Sequence, residues 1–119
     1  MFLCLFKKKT LNRKSFIVRN KKIDLALSKE AAFQVCLNSV VLSGASVMIR
    51  DFDVGHIRAE IGVSIYSFGE TIDVFLKTKD SNETSIDIYS QPVVKTTLID
   101  YGKNQRNVEK IVVNIIKKL

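Results

Sequence analysis

Apolar and polar residues alternate from Ala45 to Ser90, which is the spacing of half-buried β-strands. Turn segments around Gly55, Gly69 and Asn82 divide this region into four strands. Connections this short join antiparallel neighbours only, so the pattern predicts a four-stranded antiparallel meander. A similar alternation predicts one earlier strand, from Lys21 to Leu27, whose lysines suit an exposed sheet edge.

Two other segments show helical spacing. Ser28 can cap a helix that spans Lys29 to Ser43, and Gly44 suits its left-handed end. The apolar positions of this helix are Phe33, Cys36, Leu37, Val40 and Val41. A second helix carries an apolar stripe made of Val108, Ile111, Val112, Ile115, Ile116 and Leu119.

The element order is therefore β-α-β-β-β-β-α. We predict an α+β fold with an antiparallel sheet of four to five strands and with the helices packed on one face. Residues 15–119 form one domain in this prediction, and residues 1–14 form a basic N-terminal arm that begins with an apolar stub. The 119-residue chain is long enough to bury a core without a metal or a disulfide.

The predicted sheet has one aliphatic face and one polar face on which aromatic residues are interleaved. Tyr66, Phe75 and Tyr89 fall on the polar face. If a second subunit covers this face, the three aromatics form an interface, whereas scattered aromatics are also ordinary on a solvated sheet. We favour self-association as the functional interpretation of this face.

The net charge of +7 is concentrated at the N-terminus. Residues 1–29 hold nine Lys or Arg residues and one acid, Asp24, and the rest of the chain is nearly neutral. The sequence lacks an aromatic RNA-binding motif, so nucleic acid is an unlikely partner. An apolar stub followed by lysines could instead touch an anionic membrane surface through Met1 to Lys14, or the stub could pack on the domain.

The start of the second helix is the first candidate for a ligand site. Gly102, Lys103, Asn104 and Arg106 lie where free backbone N–H groups favour anions, so a phosphate or carboxylate could bind there. The alternative is plain helix capping with Asp100 as the acceptor, which we favour because no second glycine completes a phosphate loop.

A second candidate surrounds one hairpin turn. Asp51, Asp53 and His56 are plausible ligands for a divalent metal, although three ligands on a turn give weak geometry, and we predict no metal and no other cofactor. Cys4 and Cys36 have neither metal-ligand nor redox spacing. No nucleophile and base are paired by the predicted strands, so we predict a protein that is not an enzyme.

Three segments resemble small uncharacterised bacterial proteins that end in a strand, a Thr-rich loop and an Asp-aromatic-Gly-x-Asn helix start. The matching segments are Leu27 to Phe33, Ile86 to Ser90, and Leu98 to Glu109, which contains Asp100-Tyr101-Gly102-Lys103-Asn104. The resemblance implies a domain of unknown function with no catalytic residues to transfer. The element order also resembles a reduced helix-grip fold of lipid-transfer proteins, without the extra strands and the small helix that enclose their cavity.

Together these observations predict a cytoplasmic, non-enzymatic binding or protein-interaction domain that associates with itself or with a partner. One alternative is a carrier or sensor of a small apolar or anionic ligand, which would use Lys103 and Arg106. Another is a protein peripheral to the inner face of the membrane, held there by its N-terminal arm.

Overall fold

A computed structural model describes residues 19–62, 69–93 and 102–119 of the chain. Its strands and helices, in chain order, are β1 (Arg19–Leu25), α1 (Lys29–Leu42), β2 (Ser46–Asp51), β3 (His56–Ile61), β4 (Glu70–Asp80), β5 (Glu83–Pro92) and α2 (Lys103–Lys118). The predicted α+β class and the β-α-β-β-β-β-α order are confirmed. The N-terminal arm, Tyr66 and Asp100 lie outside the described residues.

The five strands form one antiparallel sheet in the order β1-β5-β4-β3-β2. The predicted meander is therefore correct, and β1 pairs with the last strand rather than with its neighbour in the chain. This pairing places β1 and its lysines at a sheet edge, as predicted. β1 runs from Arg19 to Leu25, two residues earlier than predicted, and its pairing with β5 decides these ends.

Both helices pack against the same face of the sheet and bury its aliphatic side chains. The fully buried side chains include Ile57, Ile72, Val74, Ile86 and Ile88 from the sheet and Val40, Ile111 and Ile115 from the helices. This arrangement confirms the predicted reduced helix-grip-like fold. Of the helices in the described part of the chain, none is long and apolar enough to cross a membrane.

Helix α1 begins at Lys29 as predicted and ends at Leu42, one residue before the predicted Ser43. The Ser28 hydroxyl accepts a hydrogen bond from the backbone N–H of Ala31 at 3.3 Å, and Glu30 lies in the first turn, where its charge complements the helix dipole. Gly44 follows the helix with φ +94°, a conformation that glycine adopts without strain.

Several apolar residues that the pattern placed in the core are exposed. Val41 of α1 is 53% exposed, and Ile116 of α2 and the following Leu119 are also largely exposed. Val41 and Ile116 lie at the side of their helix stripes, whereas Val40, Ile111 and Ile115 face the sheet and are buried. Leu119 lies beyond the last residue of α2. On β2, a register shift between Val47 and Ile49 turns Ile49 away from the core.

Candidate functional site

The face of the sheet opposite the two helices, which we name the outer face, carries most of the described side-chain chemistry. Strand register arranges its residues in rows that run across the sheet. One row, in the sheet order β2 to β1, consists of Asp51, His56, Phe75, Asp87 and Lys22. The next row consists of Ile49, Arg58, Asp73, Tyr89 and Asn20. Residues of these two rows come from all five strands.

Asp73 is the centre of the polar contacts on the outer face. Its Oδ1 lies 2.7 Å from His56 Nε2 and accepts a hydrogen bond from Arg58 Nε at 2.8 Å, while its Oδ2 accepts one from Arg58 Nη2 at 3.2 Å. Its side chain is buried although it lies on the face opposite α1 and α2. Arg58 therefore binds the carboxylate side-on with two nitrogens, which is a strong geometry.

The pKa of Asp73 reflects two opposing causes. Burial raises the pKa of the carboxyl, but hydrogen bonds from Arg58 and His56 and their positive charge lower it more, so it lies below its usual value. The same pairing raises the pKa of Arg58. Asp73 therefore stays ionised and holds both side chains in place.

An aromatic group continues the network across β4 and β5. The rings of His56 and Phe75 stack with centroids 4.7 Å apart and planes 4° from parallel, and Phe75 meets Tyr89 edge to face at 5.9 Å. Phe75 is 43% exposed in spite of these contacts. A large apolar ring thus remains open to solvent in the middle of a polar network.

Asp87 closes the network on the side of β5 and β1. Its carboxylate accepts hydrogen bonds from Asn20 Nδ2 at 2.6 Å and from the Tyr89 hydroxyl at 3.4 Å, and Lys22 Nζ lies 3.8 Å away. Burial, followed by the Asp87 charge and hydrogen bond, raises the pKa of Tyr89. Tyr89 therefore acts as a hydrogen-bond donor at neutral pH.

These residues surround an open recess of about 490 Å³ on the outer face. Its lining consists of Arg58, Asp73, Phe75, Asp87, Tyr89 and Gln91. The lining offers a guanidinium, two carboxylates, an amide and a phenol around an apolar ring. This composition suits non-covalent recognition of a surface that is partly apolar and partly charged.

The predicted interface residues Phe75 and Tyr89 are thus in contact with each other on one face, and Tyr66 lies outside the described residues. Their role as an interface stays a prediction. Sequence reasoning missed Asp73 as the centre of the network, as well as the contributions of Asn20 and Lys22. The available signal was that Arg58 and Asp73 both fall on the polar face of neighbouring strands, where their charges are opposite.

The predicted ligand site at the start of α2 is occupied by contacts within the chain. Lys103 Nζ lies 3.9 Å from Glu70 Oε2, and Asn104 Oδ1 accepts a hydrogen bond from the Ser90 hydroxyl at 2.6 Å. Gly102 precedes the helix with φ +77°, and the Arg106 guanidinium folds over it, so an added Cβ at Gly102 would stand 3.2 Å from Nη1. Anion binding by these four residues stays a prediction, and the contact of Lys103 with an acid reduces the positive charge available for it.

The three candidate metal ligands each have another contact. Asp51 Oδ1 accepts a hydrogen bond from the Val54 N–H at 3.1 Å, the backbone carbonyl of Asp53 accepts one from Lys29 Nζ at 3.2 Å, and His56 contacts Asp73. Across residues 19–62, 69–93 and 102–119, no three potential ligand side chains are grouped as a metal site. Asp51 instead holds the β2–β3 turn in shape.

No family model and no curated protein matches the sequence. Among solved structures, the fold is similar to that of an uncharacterised protein from Bacillus thuringiensis, with a TM-score of 0.54 at 9% identity over 84% of this chain and 93% of the other. It is also similar to a protein from Thermobifida fusca, with a TM-score of 0.51 at 4% identity over 81% and 82% of the two chains. A Streptomyces aromatase/cyclase aligns with a TM-score of 0.49 at 8% identity over 85% and 92%. At such low identities these similarities concern the fold alone.

Proposed function

We propose that this protein is a non-enzymatic binding domain that associates with a second copy of itself through the outer face of its sheet. The observation that carries the proposal is the half-exposed Phe75 ring at the centre of an ordered network of charged and aromatic side chains. Aromatic residues in such a position supply much of the binding energy of protein interfaces.

The order of the network also supports binding. Arg58 and His56 are held by Asp73, while Asn20 and Tyr89 are held by Asp87, so their side chains have lost much of their rotational freedom before any partner arrives. A preorganised surface binds more tightly because less entropy is lost on association. An ordinary solvated sheet face needs no such fixed arrangement.

The recess supports binding rather than catalysis. Among the residues that the structure describes, the side chains around it include no Ser, Thr or Cys nucleophile, and the single imidazole of the chain, that of His56, is hydrogen-bonded to Asp73. Hydrolysis or acyl transfer by a nucleophile and a base would need such a pair within hydrogen-bond reach. We therefore propose that the outer face recognises a surface and does not transform a substrate.

Sedimentation velocity across a range of protein concentrations tests the proposal. The wild-type protein should sediment as a dimer as its concentration rises. The Phe75→Ser variant should weaken the dimer at least about tenfold, because it removes the central apolar ring. Phe52→Ser is a matched control, since Phe52 is similarly exposed at 39% but packs on Phe33 of α1 instead of lying on the outer face.

Circular dichroism and thermal unfolding of both variants show whether each remains folded. A wild-type protein that stays monomeric up to concentrations on the order of 1 mM would contradict self-association. Equal weakening by Phe52→Ser and Phe75→Ser would show that the outer face is not the contact surface.

A further inference from the structure

We propose that the two copies pack outer face to outer face about a twofold axis that runs along β4. This inference rests on the proposed function and deepens it, because it specifies which residues of the two copies meet. A twofold axis in this direction places β3 of one copy over β5 of the other and β2 over β1, while β4 lies over β4. The resulting interface is isologous, as in most homodimers.

The order of charges along the row through Phe75 carries the proposal. From β2 to β1 this row reads Asp51, His56, Phe75, Asp87, Lys22. Rotation about β4 reverses this order in the second copy. Asp51 then lies over Lys22 of the second copy, His56 lies over its Asp87, and Phe75 lies over its Phe75. The Asp51 and Lys22 charges at the ends of the row meet opposite charges, and the Asp87 carboxylate meets the His56 imidazole, so the row is complementary to its own reversed copy.

The neighbouring row fits the same axis. From β2 to β1 it reads Ile49, Arg58, Asp73, Tyr89, Asn20, so the half-exposed Arg58 guanidinium lies over the Tyr89 ring of the second copy. Arginine stacks favourably on aromatic faces. The two Asp73 carboxylates face each other near the axis, but each is buried and already bound by Arg58 and His56 of its own chain.

A twofold axis between the two sheets could also run perpendicular to the strands, but this direction gives worse contacts. An axis perpendicular to the strands and midway between the two rows places every strand over its own copy and exchanges the two rows. Arg58 would then lie over His56 of the second copy, and Asp73 would lie over Phe75. That arrangement pairs basic groups with each other and buries a carboxylate against an apolar ring, which costs free energy. The charge order therefore selects the axis along β4.

Charge reversal at the two ends of the row tests the arrangement. Lys22→Asp and Asp51→Lys each place like charges together at both ends of a symmetric dimer, so each variant alone should dimerise about tenfold more weakly than the wild type. A mixture of the two variants restores opposite charges at both ends. The mixture should therefore form a heterodimer with an affinity close to that of the wild-type homodimer.

The chain offers close controls for both substitutions. Lys21→Asp makes the same charge change on the same exposed strand but on the opposite face of the sheet, and Asp53→Lys makes it in the same turn as Asp51. Because Asp51 also accepts a hydrogen bond from Val54, Asp51→Asn provides a milder variant that keeps an acceptor oxygen. Asp51→Asn and Lys22→Gln should each weaken the dimer by a smaller factor than charge reversal.

Sedimentation equilibrium of the single variants and of their mixture gives results that separate the two proposals. A wild-type dimer that is unaffected by Lys22→Asp, or weakened equally by Lys21→Asp, overturns the β4 axis while self-association stands. A mixture no tighter than either single variant also overturns it. A wild-type monomer overturns the proposed function itself, and the axis with it.

Discussion

In the part of the chain that the structure describes, each face of the sheet holds one buried acid, and the two acids have different partners. Glu70 lies on the helix-covered face, where Asn107 Nδ2 donates to its Oε1 at 3.3 Å and Lys103 Nζ lies 3.9 Å from its Oε2. Asp73 lies on the outer face, where Arg58 and His56 contact it at 2.7 to 3.2 Å. The acid on the covered face therefore has mainly neutral or distant partners, and the acid on the open face has close charged ones.

The two acids hold different parts of the molecule. On the covered face, Glu70 and Ser90 of the sheet bind Asn104 and Asn107 of α2, so the polar groups attach the first turns of the helix to the end of the sheet. On the outer face, no second element covers Asp73 in the described part of the chain, yet the acid holds two side chains in fixed positions. The first arrangement attaches a helix to the sheet, and the second orders the surface that we propose for binding.

The largest expected effect lies in the apolar part of the covered face. Ile111→Ala should lower the free energy of unfolding by about 2–5 kcal/mol, because the side chain is fully buried between helix and sheet and its loss leaves a cavity. Val113→Ala, on the exposed side of the same helix, should change stability by less than about 0.5 kcal/mol. Urea unfolding measures both, and equal losses would show that α2 does not pack through Ile111.

The polar attachment of α2 should give the next largest effect. Asn104→Ala removes the acceptor of the buried Ser90 hydroxyl and should cost about 1–3 kcal/mol. Gln105→Ala is the control, because that side chain is exposed and its amide donates a hydrogen bond to Glu109 one turn away. A loss no greater than that of the control would mean that the polar contacts do not hold the helix start.

On the outer face, Asp73→Asn should lower stability by about 1–2 kcal/mol at neutral pH, since it removes charge-assisted hydrogen bonds while Arg58 remains half exposed. The effect should depend on pH. The pKa of Asp73 is lowered on folding, so its stabilisation is present above the usual carboxyl pKa of about 4 and is lost as the pH falls through the folded-state value.

Urea unfolding measures this dependence. The wild type and Asp73→Asn are compared from neutral pH down to the lowest pH at which both proteins fold. The difference between the two proteins should shrink as the solution is acidified. Asp53→Asn is the control, because it shows how the free energy of unfolding responds when an exposed acid of the β2–β3 turn is removed. A difference that stays constant or grows on acidification would contradict the assigned direction of the pKa shift.

The smallest effect is expected for Glu70→Gln. The amide keeps an acceptor oxygen for Asn107, and the lost ion pair with Lys103 is long, so the free energy of unfolding should fall by less than about 1 kcal/mol. Thermal unfolding of Glu70→Gln and Asp73→Asn under the same conditions compares the two acids directly. If Glu70→Gln costs more than Asp73→Asn at neutral pH, the contrast between the two faces is wrong.

Much of the fold could be predicted from local patterns. Alternation with period two located β2 to β5, short turns required them to be antiparallel, and Ser28 and Gly44 marked the ends of α1. These features depend on residues close together in the chain. The exposure of Val41, Ile116 and Leu119 could not be predicted in this way, because the coverage of a helix stripe depends on where the sheet ends.

The candidate site was predictable only in part, for a related reason. The sequence identified Phe75 and Tyr89 as residues of the polar face, since alternation alone decides the face on which a strand residue lies. It did not identify Asp73 as the common partner of His56 and Arg58, nor Asp87 as the partner of Asn20, because those contacts join residues 15 to 67 positions apart.

The sequence by itself thus determined the elements, their order and the two faces of the sheet, because each follows from the spacing of apolar residues and from turn chemistry. The tertiary structure alone decided the pairing of β1 with β5 and the register of all five strands. Register is set by long-range contacts, and a shift of one residue would move every side chain of a strand to the other face. The complementary row from Asp51 to Lys22 exists only because this register brings its five residues into line.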